Sequence, residues 1–154
     1  MKNYVLGYIV NKDNNAIILL KKGKGRLHES CWNAIGGHVE DGETAIAAMT
    51  REGKEEAAFS GDWIHVGYIR GEAKDGPWTV FVYVARAKKE PHKEHDEITA
   101  DWANNADEET PYWVTLGELN DLMVAPHVRA LAYASLDKLN HPKICLVQLS
   151  EIHV

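Results

Sequence analysis

Cysteine is scarce in this chain. Its 154 residues hold two, Cys31 and Cys145, too few for a disulfide framework, and both sit among apolar neighbours where a small buried side chain suits. A reduced, cytoplasmic protein is expected. Long apolar runs are missing too: nothing reaches the roughly 18 residues of a membrane span, and Met1-Lys2-Asn3 leads straight into an alternating segment with no apolar leader core. No membrane association is expected. Positive charge is in deficit, with 17 Lys and Arg against 23 Asp and Glu for a net charge of −6, which argues against a sequence-independent grip on nucleic acid. Repeats and low-complexity tracts are absent as well. What remains, 45% hydrophobic and 26% charged, is the composition of one ordinary globular domain, residues 1–154, with enough apolar side chains for a single core.

Tyr4 to Val10 and Ala16 to Leu20 read as strands, joined through the turn cluster Asn11-Lys12-Asp13-Asn14-Asn15 into a hairpin. The basic, glycine-rich Lys21-Lys22-Gly23-Lys24-Gly25-Arg26 follows, either a solvated turn or a positive rim that attracts phosphates. Cys31 to Ile35 is a short strand running into a turn at Gly36-Gly37. Trp63 to Ile69 and Trp78 to Ala85 are further strands with the loop Arg70 to Pro77 between them, the second so continuously apolar that it belongs in the middle of the sheet. From Arg86 to Thr110 the chain is polar, a long functional or disordered loop. His92 and His95 within it lack a third ligand at metal spacing and read as solvated. Tyr112 to Leu116 is a strand, Leu116 to Met123 the start of a short helix, Val128 to Leu139 a helix, and Ile144 to Leu149 a closing strand. This order of elements indicates an α+β fold or a three-layer α/β/α sandwich with a mixed sheet.

The most informative stretch lies between the third and fourth strands. Thr44 can accept from the free donors of a first turn, and Ala45 to Ala57 contains no proline, which predicts a helix over 45–57. At about 100° per residue, Ile46, Met49, Gly53 and Ala57 share a stripe, while Glu52, Glu55 and Glu56 fall within a sector about 100° wide beside it. The helix should carry a buried face and an acidic edge, with the small Ala45 and Ala48 leaving room above the carboxylates. Like charges on adjacent turns repel by a few tenths of a kcal/mol per pair, so a cation opposite them gives the cluster a reason. Mg2+ fits, because it takes oxygen ligands octahedrally and shares them between carboxylates and substrate phosphates. A merely solvated acidic face is the alternative.

The order of landmarks decides between the two. Gly37, five residues, Glu43, seven residues, Arg51-Glu52, two residues and Glu55-Glu56 resembles the Nudix box, G-x5-E-x7-R-E-U-x-E-E-x-G-U with U bulky and aliphatic. That box is the signature of hydrolases that cleave a nucleoside diphosphate linked to another group. Two positions depart from it: Gly53 replaces the aliphatic residue, and Ala58 replaces the glycine that ends the helix, leaving Gly61 as the expected terminator. The resemblance implies a Nudix-type α/β/α sandwich and a Mg2+-dependent enzyme in which Mn2+ substitutes. It also implies roles. Glu52, Glu55, Glu56 and the Gly36 carbonyl would hold metal, Glu55 or Glu56 would deprotonate water, and Arg51 would pair with Glu43 to orient the helix and its loop.

Two shorter segments resemble one branch of that family, the MutT-like oxidised-purine nucleoside triphosphatases. Asp107-Glu108-Glu109-Thr110-Pro111-Tyr112-Trp113 is similar to their D-E-x-x-P-x-W, and Trp32-Asn33 to their W-N. The likeness implies that Glu108 reaches back to the metal, that the Asn33 amide reads a purine edge, and that Lys21, Trp32 and Gly37 complete the substrate-binding set. Of the branch's W-P-D-D segment only Pro126 survives, within Ala125-Pro126-His127-Val128. The expected substrate is thus a small nucleotide, a nucleoside triphosphate or its oxidised purine form, cleaved to monophosphate and pyrophosphate by a monomer or homodimer. ADP-ribose or dinucleoside polyphosphate hydrolysis, or a catalytically silent nucleotide-binding domain, are the alternatives.

Overall fold

The computed structural model describes residues 1–26, 28–88 and 98–143, with the backbone of Leu149–Ser150. His92, His95, Cys145 and most of the expected closing strand lie outside these residues. Among the described residues one mixed sheet contains eight strands: β1 (Lys2–Val10), β2 (Ala16–Lys21), β3 (Trp32–Asn33), β4 (Ile35–His38), β5 (Ile64–Ala73), β6 (Gly76–Arg86), β7 (Pro111–Thr115) and β8 (Leu149–Ser150). The helices are α1 (Ala45–Ala57), α2 (Ala100–Asn105) and α3 (Val128–Asn140), with one 3-10 turn at Glu118–Asn120. No helix among the described residues is long and apolar enough to cross a membrane.

The strand order is β3-β2-β1-β6-β5-β8, with β4 on β1 and β7 on β2. β1 runs parallel to β6 from Lys2 opposite Trp78 to Val10 opposite Arg86, which puts the apolar β6 in the interior as its composition predicts. The β1–β2 turn forms as expected. The Asn11 Oδ1 accepts from the N–H groups of Asn15 at 3.0 Å and Ala16 at 3.1 Å, replacing backbone partners the turn cannot supply. The second hairpin is longer than the sequence indicated. Arg70 to Pro77 is not a loop, because Arg70 pairs with Thr79, Glu72 with Pro77 and Ala73 with Gly76, leaving only a tight turn in which Gly76 takes φ 115°. Within 86–110, α2 is capped by the Thr99 hydroxyl, which accepts from Trp102 N–H. The expected helix start over 116–123 shrinks to the single 3-10 turn.

Side-chain alternation splits the core into two layers. Tyr8, Val10, Ile17, Leu19, Trp32, Ala34 and Val114 join Val128, Leu131 and Ala132 of α3 on one face. Val5, Ile9, Ile18, Leu20, Ile35 and Trp113 join Ala48, Met49 and Ala57 of α1 on the other. The result is an α/β/α sandwich.

α1 differs from its sequence reading in three respects. Its buried residues are Ala48, Met49, Glu52, Gly53 and Ala57, whereas Ile46, placed on the buried stripe by periodicity, is 45% exposed. The buried face therefore keeps Met49, Gly53 and Ala57 of the predicted stripe and widens to take in Ala48 and Glu52, so that the Glu52 and Glu56 carboxylates lie beneath the helix rather than at its edge. Second, Ala58 itself ends the helix. It adopts the left-handed conformation, φ 50° and ψ 31°, while its N–H reaches the Lys54 carbonyl and that of Phe59 the Gly53 carbonyl, so Gly61 is not needed as the terminator. Third, Gly36 and Gly37 belong to β4 and form no turn.

Candidate active site beneath α1

The two glycines of β4 make room for the site. A Cβ on Gly36 would run into the Val5 carbonyl of the neighbouring strand, and one on Gly37 would occupy the position of the Glu52 carboxylate. Only glycine lets the strand and the helix approach this closely. The Gly53 departure has a local compensation: a Cβ there would stand 2.9 Å from Cζ2 of Trp63, whose indole also fills the space above Gly7 and packs edge-on to Phe59. The indole thus takes the volume that an aliphatic side chain on the helix would take.

Arg51 organises one end of the carboxylate row. Its Nε and Nη2 meet the two oxygens of Glu43 at 3.0 and 3.1 Å, a bidentate pair, and Nη2 also donates to the His38 carbonyl at 3.0 Å. Its Nη1 donates to Glu52 at 2.7 Å and lies 3.4 Å from Glu55. Hydrogen bonding from Arg51, with the Glu40 N–H added, holds the Glu43 carboxyl below the usual carboxylate range, and the hydrogen bonds to Glu43 and Glu52 raise the guanidinium. Glu56 anchors the other end. Its Oε2 accepts from Gly36 N–H at 2.9 Å, and its Oε1 lies 3.2 Å from Lys22 Nζ and 3.8 Å from Arg26 Nη2. Burial pushes the Glu56 carboxyl up, against the opposing pull of Lys22 and the Gly36 N–H. Glu55, between these ends, is exposed.

The residues named from sequence are divided by the sheet. Lys21 and Lys22 are neighbours and so point to opposite faces: Lys22 reaches Glu56, whereas Lys21 donates to the Asn104 carbonyl at 2.7 Å beside α2 and is not brought to the carboxylates. Trp32 and Asn33 divide in the same way. Trp32 is buried on the α3 face, stacked on Trp102 at 5.4 Å, while Asn33 pairs with Leu20 on the α1 face, its Oδ1 accepting from Ala34 N–H. The Glu108 carboxylate stands at Gly23, 3.2 Å from where a Cβ would be. It is the adjacent Glu109 that bonds there, accepting from Gly23 N–H at 2.8 Å. Sequence reading passed over Lys22, Arg26 and Glu109 as individual residues. The parity of Lys22 with Leu20 and Ile18 on β2 was the available signal.

A hard divalent cation suits oxygen donors, and Glu52, Glu55 and Glu56 offer only these, the missing Cβ of Gly37 leaving room for the Glu52 carboxylate. Among the described residues no three acidic, histidine or cysteine side chains converge as a closed ligand group. Glu52 and Glu56 are ion-paired with Arg51 and Lys22, with which a bound cation would share their oxygens. The donor set therefore fits a divalent ion in kind.

Residues 2–134 match the model of the NUDIX domain. The chain belongs to the NUDIX domain family. A curated Nudix relative, mouse 8-oxo-dGDP phosphatase NUDT18, is 26% identical over 113 residues, covering 70% of this chain and 34% of that protein. The chain thus spans about a third of the length of the curated relative it matches. Solved structures share the fold at low identity. The NUDIX domain of Shewanella oneidensis NrtR complexed with ADP ribose is 14% identical, covering 89% of this chain and 87% of that one at a TM-score of 0.68. The MutT protein of Methanosarcina mazei Go1 is 17% identical, with 91% and 95% covered and a TM-score of 0.65. Shewanella oneidensis NrtR complexed with a 27mer DNA is 13% identical, with 88% and 61% covered and a TM-score of 0.63.

Proposed function

We propose that this Nudix chain is a divalent-cation-dependent pyrophosphohydrolase acting on a nucleoside triphosphate, oxidised purine forms included, and releasing the monophosphate and pyrophosphate. The observation that carries the reading is the meeting of Glu56 with Lys22 and Arg26 beside Glu52, over the Gly36-Gly37 strand: acidic oxygens for a cation and basic groups for phosphates side by side. In this reading Glu52, Glu55, Glu56 and the Gly36 carbonyl hold Mg2+ or Mn2+, with Glu108 reaching from the opposite loop. The bound ion would neutralise charge on the phosphate oxygens and acidify a water. Arg51 and Glu43 fix the helix against its loop. Either Glu55 or Glu56 would take the proton, Glu56 being pinned by the Gly36 N–H at 2.9 Å. Asn33, on the α1 face, offers an amide to the base, and Trp32 supports it from the other side of the strand.

The 8-oxo-dGDP activity in the name of the mouse relative and the W-N and D-E-x-x-P-x-W segments favour a purine. The complex of the NrtR NUDIX domain with ADP ribose keeps ADP-ribose as the second reading. The net charge of −6 favours a small nucleotide over DNA, the molecule with which NrtR is complexed in the other structure. The test is kcat/KM with Mg2+ for dGTP, 8-oxo-dGTP, 8-oxo-dGDP, dATP, dCTP and ADP-ribose, in wild type and Asn33→Ala. Purine nucleotides should lead, and Asn33→Ala should narrow the differences among bases by about 1–3 kcal/mol. Dominance of ADP-ribose with unchanged ratios in Asn33→Ala would install the second reading. No turnover of any compound would leave a binding domain.

A further inference from the structure

The basic loop is tied to the far bank of the site by a residue that the chemistry above does not use. Glu109 precedes β7 with a left-handed backbone, φ 54°, a conformation disfavoured for a residue with a Cβ. Two hydrogen bonds to one short segment accompany that conformation. Its N–H donates to the Lys21 carbonyl at 2.9 Å, and its Oε1 accepts from Gly23 N–H at 2.8 Å. The same carboxylate stands 3.9 Å from Lys22 Nζ and 3.9 Å from Arg26 Nε. These are the cations that reach Glu56, at 3.2 and 3.8 Å. Two positive groups are therefore shared between two carboxylates, one on α1 and one across from it.

A divalent cation held by Glu56 would offset its pull on Lys22 and Arg26, and a loop anchored to α1 alone would lose that hold. The hold of Glu109 would remain, because it rests on hydrogen bonds to the Lys21 carbonyl and the Gly23 N–H as well as on charge. We propose that Glu109 is a positioning residue that keeps the Lys22–Arg26 loop at the site when Glu56 is engaged, so that both cations face the oligophosphate of a substrate. The proposal rests on the hydrolase reading for its purpose, but it concerns phosphate binding and is separable from turnover.

The probe is inorganic tripolyphosphate, titrated calorimetrically in the presence of Ca2+ into wild type, Glu109→Ala and Glu109→Gln, with steady-state nucleotide kinetics alongside. Glu109→Ala should weaken tripolyphosphate binding about tenfold and raise KM by a similar factor while kcat stays within about threefold. Glu109→Gln keeps an acceptor for Gly23 N–H and should stay within about threefold of wild type on both scales, a rescue that distinguishes anchoring from a general loss of charge. Should Glu109→Ala fail to fold, Glu109→Asn, which tolerates the left-handed backbone but is too short to reach Gly23, reads the same quantities. Wild-type affinity in Glu109→Ala, no tripolyphosphate binding by wild type at millimolar concentration, or a loss confined to kcat would each overturn the proposal. Absence of nucleotide turnover with the affinity pattern intact would instead count against the hydrolase reading alone.

Discussion

The two faces of the sheet use similar sequence for opposite purposes. On the α1 face, glycines strip away side chains so that carboxylates, ammonium and guanidinium groups meet at 2.7 to 3.9 Å, and Glu56 is desolvated with its charge only partly compensated. On the α3 face, large rings close the same space: Trp32, Trp102 and Tyr112 stack and cross at 5.3 to 5.9 Å, and Lys21 ends on a backbone carbonyl. One residue of offset along β2 or β3 moves a side chain from one regime to the other. A lysine or an aromatic near a motif thus acquires its role from strand parity before proximity in sequence counts.

The largest effect should come from the apolar face. Trp32→Ala empties a site that is 1% exposed and should cost about 3–5 kcal/mol, read as a lowered Tm. If that variant stayed within about 1 kcal/mol of wild type, the ring cluster would not be structural. On the other face, Glu52→Gln and Glu56→Gln should each lower kcat by on the order of 10²-fold with little change in Tm. Lys21→Met should leave kcat within about threefold, because its ammonium faces α2. Equal losses in Lys21→Met and Lys22→Met would dissolve the distinction between the faces.

Three smaller changes probe α1 and its loop. Gly53→Leu, which restores the bulky box residue, should destabilise by about 1–3 kcal/mol because Trp63 already fills that volume, and combining it with Trp63→Leu should recover part of the loss. Ala58→Gly should stabilise by about 1 kcal/mol by relieving a left-handed alanine, readable in urea unfolding. The smallest effect is pH-linked. The Glu43 carboxyl is held low by Arg51, so the stability it adds is present above its unfolded-chain value, near pH 4, and is lost as pH falls through the lower folded value. The Tm difference between wild type and Glu43→Gln should therefore shrink between about pH 5 and pH 3. A difference that widened on acidification would reverse the sign of that coupling.

The box spacing carried the family, the order of elements the fold class, and capping chemistry with a proline-free run carried α1 down to its Thr44 cap. What none of these could carry was the extent of the buried face of α1. Ile46 shares its angle with the buried Gly53 and Ala57, yet it sits in the exposed first turn, and the buried face widens to take in Glu52 because Gly37 leaves a space for its carboxylate. Ala58 and Gly53 looked like defects because their compensations, a left-handed backbone and an indole ten residues along the chain, are tertiary facts. Arg70 to Pro77 looked like a loop because glycine and proline break patterns, whereas both are tolerated in a hairpin end that closes on Gly76.

The claim at the centre of this account is that the carboxylates beneath α1 hold a divalent cation against the pull of Lys22 and Arg51. Mn2+ binding followed by electron paramagnetic resonance, in wild type, Glu52→Gln and Glu56→Gln, tests it without reference to any substrate. Wild type should hold Mn2+, and affinity should be at least about tenfold weaker in each variant, with Tm unchanged. Equal Mn2+ affinity in all three proteins, or no binding by wild type at millimolar Mn2+, would contradict it.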